Sequence, residues 1–266
     1  MANFFTVKGN GRPVGDGRTM DKVVVQFLGS GDAFSSGCRL QTCILVSGKT
    51  NFLIDCGASS LIGINQHGID PNTISAILLT HLHADHSGGI PFFILDAKFN
   101  RKRVRPLTIL GPQGTAAWYP RMMEVAFPGS YATERGFPLS VREMTPNEAE
   151  ALDGLTVVPY TVSHASELQC LALRITCGHN IITYSGDTQW TESLLAASDG
   201  ADLFIVESYF FDRKANNHLD YQTIKEQLSG MKAKKVILTH MGRDMLENIN
   251  RCDMETAHDG KRIEIS

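Results

Sequence analysis

The chain of 266 residues has no long apolar run, no Cys-x-x-Cys pair and no large excess of one charge sign. Each absence removes a class of protein. Nothing approaches the roughly 20 consecutive apolar residues of a membrane-spanning helix. The opening "MANFFTVKGNGRPVGDG" lacks the basic start and apolar core of a secretory signal, so a cytoplasmic protein with no membrane partner is expected. Six cysteines, at positions 38, 43, 56, 170, 177 and 252, are scattered; this excludes a zinc ribbon or a small disulfide scaffold and fits reduced thiols. The formal net charge of -3 gives no overall electrostatic footprint for nucleic acid. The basic stretch "KFNRKRVR" (98 to 105) could attract phosphates but reads more simply as a solvated segment after a helix. With 42% hydrophobic and 20% charged residues, the composition is that of an ordinary globular protein.

What is present is an alternation of strands and helices. Glycines at 9, 11, 15 and 17 make residues 1–21 a loop or edge segment, and the remainder, 22–266, reads as one domain without a low-complexity linker. "KVVVQFLG", "TCILVSG" and "NFLIDCG" are β-branched or apolar runs ended by glycine, the last two joined by a turn. Further strands are expected at 107–112, 155–164, 168–177, 180–188, 201–208, 233–240 and at the C-terminus. Helices are expected near 58–66, 88–99, 114–127 (started or interrupted by Pro120), 189–197 and 221–230, with residues 128–154 as a loop. The order predicts an α/β architecture of two sheets with outer helices. "GSGDAF" superficially resembles a dinucleotide fingerprint, but a polar loop and a strand follow where a helix is required, so a nucleotide cofactor of that type is excluded.

Nine histidines are spread over the chain, yet three of them and an aspartate fall within "HLHADH" (81 to 86), directly after the apolar run "ISAILLT". His-x-His on extended backbone puts both rings on one side. Clustered neutral imidazoles beside a carboxylate are what a borderline-soft divalent metal selects. His164, Asp187 and His240 close later strands, and "ISAILLTH" is echoed by "AKKVILTH". Seven candidates, His81, His83, Asp85, His86, His164, Asp187 and His240, are too many for one tetrahedral ion but suit two ions sharing a bridging carboxylate. No cysteine lies in the set, which disfavours a closed structural zinc site.

"THLHADHSGG" is similar to the H-x-H-x-D-H signature of the metallo-β-lactamase fold, and His164, "SGDT" and the second "LTH" resemble that family's later metal motifs in order. The resemblance runs from about Val23 to the C-terminus. It implies an αββα sandwich of two mixed β-sheets flanked by helices. One metal would be held by His81, His83 and His164, the other by Asp85, His86 and His240, with Asp187 bridging. Zinc is the expected ion, with manganese or iron as alternatives. Asp55, in "LIDCG", matches an aspartate expected to fix the histidine loop by hydrogen bonds.

Glu207 in "VESY" and His218 in "HLDY" resemble a Glu and His pair of ribonuclease Z and its phosphodiesterase relatives. The pairing implies a carboxylate that fixes the ring's tautomer and raises its pKa, giving an acid for a departing alkoxide. The expected activity is therefore a dinuclear metal-dependent phosphodiesterase using a metal-bridging hydroxide, with Asp85, Glu207 and His218 as catalytic residues. No Gly/Pro-rich arm of the kind ribonuclease Z uses to grip tRNA is seen, so a small phosphodiester is favoured over RNA. The same metals could serve an aryl sulfate, lactone or thioester, or stabilise a binding protein without turnover. Pairing into a homodimer is expected only from the family resemblance.

Overall fold

A computed structural model describes residues 22–265; the 1–21 segment read as a loop or edge piece lies outside the described residues. The chain opens with β1 (Val23–Gly29), β2 (Cys43–Ser47), β3 (Asn51–Ile54), α1 (Ser60–Gln66), β4 (Ile74–Leu78), α2 (Ala84–Ser87) and α3 (Ile90–Phe99). It continues through β5 (Leu107–Gly111), α4 (Thr115–Ala126), β6 (Leu139–Glu143), β7 (Glu150–Leu152), β8 (Leu155–Val162), β9 (Cys170–Cys177) and β10 (Asn180–Tyr184). The last elements are α5 (Ser193–Ser198), β11 (Leu203–Glu207), α6 (Tyr221–Gln227), β12 (Val236–Thr239), α7 (Arg243–Glu247) and β13 (Arg262–Ile265).

Two mixed sheets result. One has the order β13-β1-β2-β3-β4-β5-β6 and the other β12-β11-β10-β9-β8-β7. Both follow one plan: an antiparallel meander feeds parallel strands, β3 to β6 in the first sheet and β10 to β12 in the second. That plan extends the Thr-His echo, since β4 and β12 are each a parallel strand ending in Thr-His.

The period of two along each strand sorts side chains between layers. Val25 and Phe27 of β1, Ile44 and Val46 of β2, Phe52 and Ile54 of β3, and Leu171, Leu173 and Ile175 of β9 meet between the sheets. Leu45, Leu53 and Ile77 point the other way, onto Ile64 of α1, Phe93 of α3 and Met123 of α4. Phe204 and Val206 of β11 pack likewise against Leu194 of α5, Ile224 of α6 and Met245 of α7. Parallel strands buried on both faces must be apolar nearly throughout, which is why "LFIV" carries no alternation and "ISAIL" is broken only by the half-buried Ser75.

Three expectations need correction. Residues 128–154 are not simply a loop: β6 forms the edge of the first sheet, β7 that of the second, and the segment passes the chain between them. The sequence "LSVRE" is half-exposed edge strand whose pairing with β5 supplies what its composition does not. α4 runs through Pro120 without a break; the carbonyl that loses its partner belongs to exposed Ala116, where water can reach it. The helix expected from 189 begins only at Ser193, because Gln189 and Trp190 stay in the connection from β10.

The basic stretch is partly interior. Arg103 is 3% exposed, and its guanidinium donates to the carbonyls of Pro71, Ile74, Arg105 and Pro106 at 2.6 to 3.0 Å. It ties the entrance of β4 to that of β5.

Candidate metal centre

Strand polarity brings distant segments to one end of the sandwich. The carboxyl ends of β3 and β4 in the first sheet, and of β8, β10, β11 and β12 in the second, converge there, in the crevice expected of parallel strands. Backbone bonds stitch the sheets together at this end: Leu171 donates its N–H to the Thr80 carbonyl at 3.0 Å, and His240 to that of Ser30 at 3.1 Å. Gly186 makes the approach feasible. It has φ of 59°, and a Cβ there would lie 2.7 Å from the Leu171 carbonyl oxygen.

After β4 the chain bends at Thr80 and reaches His83, itself in extended conformation, before the single turn of α2; the His81 and His83 rings lie 4.7 Å apart while Asp85 and His86 sit on α2. His83 Nδ1 lies 3.1 Å from both His81 Nε2 and His164 Nε2. His86 Nε2 lies 3.3 Å from His240 Nε2, Asp85 Oδ2 and Asp187 Oδ1. Asp187 spans the two groups, its Oδ2 being 3.4 Å from His240 Nε2 and 3.9 Å from His164 Nε2. All seven candidates therefore meet, in the two sets that the resemblance implied.

Proton accounting tests whether these groups suit cations. His81 places Nδ1 3.1 Å from Thr80 Oγ1, whose own proton goes to Asp55; His86 donates Nδ1–H to Asp55 at 2.7 Å, and His164 donates Nδ1–H to the Asn217 carbonyl at 2.7 Å. Each of these bonds leaves the ring's Nε2 as a lone pair when the ring is neutral. One proton on His83 Nδ1 cannot serve two such acceptors, and His86 Nε2 faces two carboxylates and another imidazole. Asp187 Oδ1 is buried without a hydrogen bond. Tetrahedral metal–nitrogen bonds near 2.0 to 2.1 Å put ligand atoms about 3.3 to 3.4 Å apart. The donor set thus fits divalent cations in number, type and spacing.

Electrostatics follow the same division. Burial, reinforced by neighbouring imidazoles, pushes His81 well below the usual histidine range and lowers His83 and His164. Burial opposes charge at Asp85 and Asp187 as well, but His86 and His240 outweigh it and hold both carboxylates below their ordinary range. For His86 the balance is reversed: burial lowers it, yet Asp187, Asp55 and Asp85 together raise it well above.

Asp55 sits under the loop at a positive φ of 59°, an uncommon conformation that aspartate tolerates better than most residues. It accepts from Thr80 N–H at 2.8 Å, from the Thr80 hydroxyl at 2.9 Å and from His86. Gly57 lets α2 settle beside this strand end, since a Cβ there would meet the Asp85 carbonyl oxygen at 2.2 Å. Thr80 was not singled out in the sequence, although it precedes His81 as Thr239 precedes His240.

Glu207 and His218 are also brought together. Glu207, fully buried, accepts from His218 Nδ1–H at 2.9 Å and from the Thr188 N–H. His218 stacks on Tyr209 with centroids 4.5 Å apart, and one of its ring nitrogens lies within 4.8 Å of a ring nitrogen of His164 and a carboxylate oxygen of Asp187. The expected rise in the His218 pKa does not occur: burial lowers His218, and burial followed by the Asp187 charge pushes Glu207 well above the carboxylate range. Tyr209 escaped notice in the sequence because nothing in "VESY" shows that the chain folds it back over the imidazole.

A sequence profile of the anti-Pycsar protein Apyc1 family matches residues 23–261. The chain belongs to that family. Within the wider metallo-β-lactamase fold it is similar to the ribonuclease Z and phosphodiesterase branch. It is 27% identical over 197 residues to a ribonuclease Z of Mycobacterium sp. strain KMS, covering 69% of this chain and 67% of that one. The short form of human tRNase Z superposes with a TM-score of 0.75 at 22% identity, over 91% of this chain and 99% of the other. A diphosphatase of the PhnP family gives 0.73 at 22% identity, over 92% and 98%. The match spans about two thirds of the length of the mycobacterial relatives. The architecture of this family member is thus the one that "THLHADHSGG" implied.

Proposed function

We propose that the protein is a dinuclear metal-dependent phosphodiesterase acting on a small phosphodiester. His81, His83 and His164 would hold one ion, Asp85, His86 and His240 the other, and Asp187 would bridge them. The observation that carries the reading is the convergence of imidazole nitrogens and carboxylate oxygens at 3.1 to 3.4 Å, the spacing of ligand atoms around a shared cation. When bound, two such cations, zinc by preference, supply a water of lowered proton affinity and charge neutralisation for a phosphoryl group.

The chain's own residues would do the rest. Asp85 would accept a hydrogen bond from the attacking water and so aim it. Glu207 holds His218 in the tautomer that keeps Nδ1–H inward, leaving the Nε2 edge for the substrate. A proton delivered from that edge would stabilise the alkoxide as its bond to phosphorus breaks; because burial lowers His218, the imidazolium needed for delivery would form only with the anionic substrate beside it. The phosphoester chemistry named in its relatives, ribonuclease Z and a diphosphatase, supports the substrate class.

The test is metal analysis together with turnover of bis(p-nitrophenyl) phosphate, an aryl sulfate, a lactone and a thioester. Two bound ions and selective diester hydrolysis are expected, with loss of both in His83→Ala. Undiminished diester turnover in that variant, or hydrolysis of another substrate class alone, would overturn the assignment.

A further inference from the structure

Beside His218, a cavity of about 220 Å³ opens between the connection after β10 and the start of α6. We propose that this cavity receives the group that leaves phosphorus, and that Trp190 and Lys214 select a neutral planar ring there. The inference rests on the phosphodiesterase reading above and adds to it the chemistry of the departing alcohol.

Three observations converge. The first is position. His218 belongs both to the metal-ligand cluster and to the cavity wall. With Nδ1 committed to Glu207, its other edge is the one left to meet a leaving oxygen, and a substituent on that oxygen would enter the cavity that His218 borders. In that step the oxygen of a hydroxide, its other proton already released to solvent, bonds to phosphorus, the ester P–O bond breaks, and the departing oxygen keeps the electron pair and takes a proton from His218, which solvent then replaces.

The second is size and lining. The cavity is smaller than the roughly 300 to 1,000 Å³ that encloses a drug-sized ligand, so it suits one ring system and not a nucleic-acid strand. Trp190 is half-buried against the core of the second sheet's helices, and its Nε1–H goes to Glu192 at 3.3 Å. Its face, not its N–H, is therefore what it offers a ligand.

The third is charge. Lys214 Nζ lies 3.2 Å from Asp220 Oδ1 and 2.5 Å from Thr223 Oγ1, so its charge is matched within the wall and a second phosphate gains little there. An ammonium has three N–H donors. Two are engaged by these partners, and the third can serve an acceptor on the ring's edge.

Two arms test the inference. In the kinetic arm, wild type, Trp190→Ala and Trp190→Phe are compared on bis(p-nitrophenyl) phosphate and on methyl p-nitrophenyl phosphate, which share a leaving group and differ in the arm retained. Trp190→Ala should lower kcat/KM about tenfold on both, and Trp190→Phe should restore most of it. Lys214→Met should lose about three- to tenfold on both. A loss confined to the bis-aryl diester would assign the cavity to the retained arm and overturn the proposal, as would wild-type values on both.

In the binding arm, Trp118→Phe leaves Trp190 as the sole indole. Titration of that zinc-loaded variant with p-nitrophenyl phosphate should quench its fluorescence saturably, while methyl phosphate should not. Saturable quenching without turnover of any diester would sustain the subsite and remove the phosphodiesterase reading. Turnover with neither quenching nor a Trp190 effect would do the reverse.

Discussion

Replacing Asp55 by Asn is the most searching perturbation of this centre, because it changes charge and donor pattern while leaving shape nearly untouched. Asn tolerates the positive φ that Asp55 adopts, so no backbone penalty is added. The carboxylate accepts three hydrogen bonds, from Thr80 N–H, the Thr80 hydroxyl and His86 Nδ1–H. An amide oxygen can keep the first. The amide nitrogen then turns two N–H donors toward the Thr80 hydroxyl and His86. To avoid a donor–donor contact His86 must move its proton to Nε2, the atom that lies 3.3 Å from Asp85, Asp187 and His240. A protonated Nε2 cannot ligate. Loss of such a supporting partner typically costs about 10- to 100-fold in metal affinity, or about 1.4 to 2.8 kcal/mol. The loss should fall on the ion held by Asp85, His86 and His240, with that of His81, His83 and His164 affected less. Competition with a chromophoric chelator resolves the two sites. Two ions bound with wild-type affinities in Asp55→Asn would show that the carboxylate does not set the His86 tautomer, and the proton accounting above would fail with it.

Other consequences can be checked separately. His218→Ala should keep both ions and lower kcat about 100- to 10,000-fold on alkyl diesters, with a much smaller loss on p-nitrophenyl leaving groups; parallel loss of metal would make His218 a ligand. Arg103→Met strands the buried Pro71 and Ile74 carbonyls and should destabilise the protein by about 2 to 3 kcal/mol in urea unfolding, while a cost below about 1 kcal/mol would mean water replaces the guanidinium. Burial pushes the Cys43 thiol up to about 12 and Cys56 well above its usual value, so at pH 8 a thiol reagent should label exposed Cys38 and spare both until the chain unfolds. The folded state retains the Cys43 proton after the unfolded chain has lost it, so stability should fall as pH rises from about 9 toward about 12; a flat profile over that interval would contradict the burial.

Much of the fold was legible because buried strands advertise themselves. "KVVVQFLG", "ISAILL" and "LFIVES" have no alternative to an interior position, and their glycine or polar ends mark where they stop. β6 and β7 were illegible for the converse reason: half-exposed edge strands owe their existence to neighbours 30 or more residues distant in β5 or adjacent in β8, not to composition. The Pro120 helix likewise depended on whether the orphaned carbonyl reached solvent, which is a property of the packed chain.

At the site, the chain's chemistry and its geometry divide cleanly. The types of group available were determined by sequence alone: imidazoles and carboxylates at strand ends, two Thr-His endings, and an aspartate after β3. Spacing within "HLHADH" also determined that His81 and His83 lie close together, their rings 4.7 Å apart. Only the tertiary structure decided that Asp187 reaches both groups, that Glu207 is wholly buried, and that desolvation outweighs its attraction on the His218 ring. Those outcomes depend on distances between segments up to 155 residues apart and on the water excluded when two sheets close, quantities that local sequence does not encode.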